Sequence, residues 1–454
     1  MTKTDFTTDN PGKQVLLFSL PLMASMLLQS LYTTADSIIV GRFIGENALA
    51  AVGTCGSLSM MLLLLISGAT DGMSVIVSQF LGAKEDKQVR RTIVNSFLII
   101  VVLSILIAVA GAILARQLLV LINVPDNIID DAVVYLRIYF AGIIATSMYN
   151  MANSLSRAVG DSLTPMLVLI VSSVLNVGMN ILFVAAFGMG VAGVAYATVL
   201  ATALAAVVCW GILWKKNPVV KIEKNDFVLD GHILKLIVKI GVPSALRAST
   251  TSIGNVLVQN MINSYGSVVM AAFSAGRNVE SLIGNAPGGI TQAMQVFTGQ
   301  NVGAGRYGRV RAGFRAAFRM ILLYSVFSGA AMIFFGEPIL RFFNPEGTEM
   351  IKAGCEYLFI CAFGTFFVGF TWLSRCVLIG AGDAKHALLV SLIEITAKLL
   401  SAYVLSTIVN IGYVGIFLGT PIGSMVAGAY GMYHYHKGNW VKSGITDVGN
   451  SKNK

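Results

Sequence analysis

About twelve apolar stretches, each long enough to cross a bilayer as a helix, follow one another from residue 14 to residue 436 with only short polar breaks between them. A crossing helix takes roughly 20 apolar residues, so this pattern alone predicts an all-α integral membrane protein. The composition agrees: 56% of the 454 residues are hydrophobic, 12% are charged and the mean hydropathy is +0.76, far from soluble averages. Barrel strands are excluded, because they run to about 10 residues and alternate apolar with polar side chains. Almost nothing remains for an extramembrane domain, which rules out soluble enzymes and nucleic-acid binders. The formal net charge of +10 lies in the breaks, where it reports orientation rather than a polyanionic partner.

The expected helices cover 14–40, 48–81, 92–121, 132–157, 164–187, 191–214, 233–263, 268–302, 314–342, 352–379, 386–409 and 414–436. The first is too long for the apolar region of a signal peptide and carries an acid, so it is retained as a helix. Basic residues crowd alternate breaks: Lys84, Lys87, Arg90 and Arg91, then Arg157, then Lys215, Lys216, Lys221, Lys224 and Lys235, then Arg306, Arg309 and Arg311, then Lys385, then Lys437 and Lys442. The other breaks hold few, beside acids such as Asp126, Asp130, Asp131, Glu346 and Glu349. The positive-inside rule then places both termini on the cytoplasmic side of a bacterial inner (plasma) membrane, in a multi-pass protein. Cys55, Cys209, Cys355, Cys361 and Cys376 show no metal-ligand spacing, so neither a disulfide framework, a zinc site nor a cofactor is expected.

The chain repeats itself at an offset of 221 or 222. Pro21 matches Pro243, Gln79 with Gly82 and Ala83 matches Gln300 with Gly303 and Ala304, and Tyr135 with Leu136 matches Tyr357 with Leu358. Gly160 and Asp161 match Gly382 and Asp383, Gly190 and Gly193 match Gly412 and Gly415, and Thr198 matches Thr420. An ordered series at one offset implies duplication. Twelve helices then form two six-helix lobes related by a parallel internal repeat. An even number per half puts the relating axis along the membrane normal. The expected boundaries are an N-terminal lobe over 1–214, a cytoplasmic linker over 215–232, a C-terminal lobe over 233–436 and a cytoplasmic tail over 437–454.

Two such lobes suit alternating access. The sequence has no Gly-rich loop ending in Lys and Ser or Thr to cradle a nucleotide, so ion coupling is the remaining energy source. That requires an acid at membrane depth. Asp36 is the best candidate: no basic residue lies a turn away, and its counterpart in the second half is Val258. Asn150 and Asn153, three apart, and Asn176 and Asn180, four apart, each share a helix face. Their oxygens, with Tyr135 and Thr198, can complete a cation shell; the alternative for membrane Asn is interhelical hydrogen bonding alone. The second half has Trp372, Arg375, Lys398 and Ala402 at the four Asn positions, which argues against a matching cation site there.

The run from Phe18 to Pro21, Tyr32 to Asp36 and Val40 to Arg42, then Ala48 to Gly53, resembles the multidrug and toxic compound extrusion (MATE) family. So do Gln79-x-x-Gly82-Ala83, Arg157-x-x-Gly160-Asp161 and Gly380-x-Gly382-Asp383, and the likeness covers essentially the whole chain. It implies twelve helices in two lobes and export of lipophilic, often cationic compounds driven by sodium or proton antiport. The implied cation set is Asp36, Tyr135, Asn150, Asn153, Asn176, Asn180 and Thr198, with Asp36, Asn180 and Thr198 as metal ligands if the ion is sodium. Some relatives carry a second acid where this chain has Asn180, which leaves the choice of ion open. The expected partners are the bilayer and a lipophilic small molecule, with the protein a monomer. The alternative is a flippase for lipid-linked oligosaccharide or peptidoglycan precursors, whose pyrophosphate needs a strongly cationic cleft.

An interlobe cleft is expected to bind substrate through Met26, Asp71, Met261, Arg277, Glu280 and Met294, the methionines supplying an adaptable surface; core filler is the alternative for these. Glu394 and Lys398, spaced i, i+4, are expected to neutralise each other, and Arg277 with Glu280 likewise. Pro287, Gly288 and Gly289 should kink their helix, and Pro21 and Pro243 should bend theirs.

Overall fold

The computed structural model describes residues 5–122, 124–284, 286–343 and 347–445, and these are helical throughout apart from their connections. The expected loop residue Glu346 and the ends of the N-terminal lobe and tail, 1–4 and 446–454, lie outside the described residues. In chain order come α1 (Pro11–Phe43), α2 (Glu46–Gly82), α3 (Asp86–Leu121), α4 (Asp126–Ala141), α5 (Ile143–Ala158), α6 (Leu163–Asn180) and α7 (Gly190–Lys216). There follow α8 (Gly231–Asn263), α9 (Ser267–Gly284), α10 (Pro287–Gly303), α11 (Tyr307–Phe343), α12 (Thr348–Gly380), α13 (Ala384–Tyr403) and α14 (Tyr413–Lys437). Eight helices among the described residues are long and apolar enough to cross a membrane. Large apolar side chains such as Leu106, Val207, Phe327 and Phe334 point outward, while Asn95, Ser104, Ser147 and Thr371 are buried. That arrangement suits lipid outside and hydrogen bonding inside, and the chain is an all-α, multi-pass membrane bundle.

Two expected helices are interrupted. The one expected over 132–157 is broken at Gly142, between α4 and α5, where a Cβ would lie 2.4 Å from the Val199 side chain. The one expected over 268–302 is broken between α9 and α10, with Pro287 opening α10 at a position where its missing N–H costs nothing. α6 continues as a π-helical turn over Ile181–Ala186, and α13 does the same over Val404–Ile408.

The chain divides into two compact units, Met1–Thr4 with Leu28–Ala245 and Asp5–Leu27 with Leu246–Lys454. Within the first, Gly68 meets α8 so closely that a Cβ there would stand 2.5 Å from the Gly241 carbonyl oxygen. The segment between α7 and α8 is strapped to the start of α3: Arg90 Nε pairs with Asp226 Oδ2 at 2.7 Å, and Asn95 Nδ2 donates to the Val228 carbonyl at 2.9 Å. Burial pushes the Asp226 carboxyl up, but the Glu223 N–H and Arg90 outweigh it and hold the group below its ordinary value.

Within the second unit, the residues ahead of α1 are packed rather than trailing. Phe6 is fully buried, edge-on to Phe18 and Phe297 at 4.9 and 5.7 Å. Its backbone is held by Gln300 Oε1 at 3.3 Å and Asn301 Nδ2 at 3.0 Å, so the Gln300 motif serves as an anchor for the chain's start.

Candidate functional site

Asp36 lies on α1 in the half that belongs to the first unit. Its Oδ1 accepts a hydrogen bond from Asn180 Nδ2 at 2.6 Å, and the same nitrogen donates to Asn176 Oδ1 at 2.8 Å. Asn176 Nδ2 in turn reaches Thr198 Oγ1 on α7 at 3.4 Å. The pair on α6 meets because i and i+4 stack on one face. Thr198 can accept because its own proton goes to the Val194 carbonyl at 3.0 Å. Asn180 closes α6 at the point where the π turn begins, a helical irregularity that often accompanies function.

Asn180 is fully buried, and its Oδ1 accepts no hydrogen bond among the described residues. Buried amide oxygens are almost always paired. Asp36 forms no ion pair among the described residues, so its surroundings are amides and hydroxyls. One carboxylate with several neutral oxygens is a donor set for a hard cation.

Tyr135 is buried beside Asp36 and stacks on Tyr139. Tyr32, one turn before Asp36, lies against both Asp36 and Thr198, and its i, i+4 spacing to the acid is the sequence signal that places it there. Asn153 faces elsewhere, within reach of Cys209 Sγ at 3.7 Å and of Tyr149. Asn150 is half-buried on α5, and no hydrogen bond joins it to Asp36.

In the second unit a cavity of about 310 Å³ is lined by Arg277, Glu280, Tyr357, Trp372, Glu394 and Lys398 among others. Two of the expected substrate residues, Arg277 and Glu280, are there. They do not pair as expected: Glu280 accepts from the Tyr357 hydroxyl, and the Arg277 guanidinium stands 5.7 Å from the Phe273 ring centre. Glu394 likewise binds Arg375, at 2.7 Å, and Ser424 at 3.0 Å. Spacing on one helix only permits a pair, and Arg375 on α12 reaches both Glu394 and Ser391 from one guanidinium nitrogen, Nη1. Met26 lies against Gly288, Met261 packs on the apolar core of the second unit, Met294 is fully buried in α10, and Asp71 lies near Arg157.

A helical membrane bundle that sets a half-buried acid among amide and hydroxyl groups has the arrangement of an ion-coupled membrane transporter. The model of the MatE family matches the chain twice, over residues 21–182 and 243–404. The chain is 30% identical over 451 residues to "Probable multidrug resistance protein YpnP" of Bacillus subtilis, covering 97% of this chain and 98% of that one. It is 24% identical over 440 residues to "Probable multidrug resistance protein NorM" of Thermotoga maritima, covering 95% and 94%. A solved structure of a multidrug resistance MATE family transporter in its outward-facing conformation superposes with a TM-score of 0.90 at 23% identity, covering 98% of this chain and all of that one. The chain belongs to the MatE family: it is an ion-coupled multidrug transporter that works by alternating access, and not an enzyme.

Proposed function

We propose that the protein exports lipophilic, cationic compounds from the bacterial cytoplasm across the inner membrane, driven by sodium entering through the Asp36 cluster. The observation that carries this is the buried Asn180 Oδ1 without a donor, beside the Asp36 carboxylate. A proton would need Asp36 alone. Sodium uses Asp36, Asn180 and Thr198 together, with Asn176 and Tyr135 holding them in place. Each sodium entering supplies about 2.3 kcal/mol per 100 mV of membrane potential.

The proposed architecture is twelve crossings in two six-helix lobes, with α4 and α5 forming one interrupted crossing and α9 and α10 another. The two family matches, 222 residues apart, support the parallel repeat. The clusters of basic residues support cytoplasmic termini, and a monomer suffices because the cation cluster comes from one chain. The walls of the 310 Å³ cavity carry two acids, Glu280 and Glu394, against two cations, Arg277 and Lys398. That balance gives no net positive field for a pyrophosphate, which favours drug export over a precursor flippase.

The test is efflux from proteoliposomes with a sodium gradient or a pH gradient imposed separately. A cationic dye should be expelled under the sodium gradient, while a lipid-linked sugar stays. Export driven by the pH gradient in sodium-free buffer would assign the site to protons, and transport of the lipid-linked sugar alone would overturn the exporter reading.

A further inference from the structure

Two of the chain's four histidines, His386 and His434, converge on Asp383, where the start of α13 meets the end of α14. Asp383 Oδ1 lies 2.7 Å from His386 Nδ1, and its Oδ2 lies 2.9 Å from His434 Nε2. The two rings stack with centres 3.8 Å apart and planes 20° from parallel. All the donor atoms fall within 4.8 Å of one another. Asp383 and His434 are buried, whereas the His386 side chain is 33% exposed and gives the group a way out to solvent.

The first half of the chain shows what this position needs for folding alone. Asp161 is the counterpart of Asp383, and it caps α6 by accepting from the Thr164 N–H at 2.9 Å and the Thr164 hydroxyl at 2.6 Å. The same offset places Thr164 opposite His386 and Ile212 opposite His434. Asp383 still caps its helix, accepting from the His386 N–H. Capping therefore requires no imidazole, and the second half brings two to one carboxylate.

We infer that Asp383, His386 and His434 form a binding site for a divalent transition-metal ion of the zinc class, with a fourth position open to water. Two imidazoles and a carboxylate suit zinc, whereas magnesium and calcium favour oxygen ligands throughout. Tetrahedral bonds of about 2.0–2.1 Å put neighbouring donors about 3.3 Å apart. The two Asp383–imidazole contacts need to lengthen by roughly half an ångström, and because an imidazole binds a metal in its own plane, the partly exposed His386 ring must also turn out of its stack on His434. A bound ion ties the entry of α13 to the exit of α14. The spacing of cysteines held no trace of it, because His386 and His434 come together only in the fold.

The experiment uses the full-length protein in detergent, with any affinity tag removed, and counts bound zinc by equilibrium dialysis alongside thermal melting. One zinc per chain and a raised Tm are expected, with no shift from magnesium. His386→Thr with His434→Ile gives the second half the residues of the first, and should weaken zinc binding roughly 100-fold or more while the metal-free protein still melts cooperatively. His386→Gln alone keeps a hydrogen-bond donor beside Asp383 and should show the loss even if the double variant folds poorly. The inference is overturned if the wild type takes up no stoichiometric zinc. It is equally overturned if these variants bind zinc as the wild type does, which would put the ion on other side chains such as His232 or His436.

Discussion

Asp36 is held by an amide rather than by a cation, and this decides what removing its charge does. Asp36→Asn keeps an oxygen for the Asn180 Nδ2 bond, so folding should survive while gradient-driven export falls to the background of empty liposomes. Undiminished export by a well-expressed variant would falsify the site. Asn180→Ala removes both the donor to Asp36 and the unpaired Oδ1. It should raise the sodium concentration for half-maximal export by roughly 10-fold, about 1.4 kcal/mol, with a much smaller change in dye affinity; an unchanged sodium-activation curve excludes Asn180 as a ligand. Asp36 was legible as an acid in an apolar stretch with no base a turn away, and the Asn176 and Asn180 pair from its i, i+4 spacing. Asn153 was not, because helical periodicity fixes a residue's face on its own helix and leaves open which neighbour that face meets, here Cys209.

At the scale of elements, the apolar runs fixed helix positions well, but the interruptions depended on contacts. Gly142 and Gly364 stand 222 residues apart, yet the helix breaks at the first, against Val199, and runs on through the second, against Pro421. The packing of the segment ahead of α1 has no counterpart in the sequence pattern, since one buried Phe6 leaves no periodic signal. The strap between α7 and α8 was also hidden: Arg90 counts as a topology charge in sequence, and only the fold shows it bound to Asp226. This pair has a pH signature. Because Asp226 is held below its unfolded value, its contribution to stability is present above the ordinary carboxylate range and is lost as pH falls through and below about 4. Asp226→Asn should therefore cost about 1 kcal/mol near neutrality, seen as a lower Tm in detergent, and the gap from wild type should close in acid. A gap that persists unchanged at pH 3 would assign the loss to packing instead.

At the scale of the whole molecule, the family model matches the chain twice, 222 residues apart, and the residues at equivalent positions differ between the two matches. Asn153 and Asn176 correspond to Arg375 and Lys398. In the second unit Arg375 is spent on Glu394, and Arg277 and Lys398 line the cavity with Glu280 and Glu394, so protein cations already match the acids there and no carboxylate is left over for a sodium ion. Coupling should then reside in the first unit alone. Arg375→Leu takes the guanidinium from the Glu394 carboxylate, leaving it the Ser424 hydroxyl and the nearby Lys398, and should destabilise by about 3 kcal/mol, the lower end for breaking a buried pair. Adding Glu394→Gln removes that charge, keeps an acceptor for the Ser424 hydroxyl, and should recover most of the stability, as buried pairs replaced on both sides often do. The measurements are melting in detergent and sodium-driven export in liposomes for each single variant and the double. A double variant that melts like the wild type and retains its sodium dependence places coupling in the first unit. One that is stable and binds dye but no longer responds to sodium makes the second unit part of the coupling path.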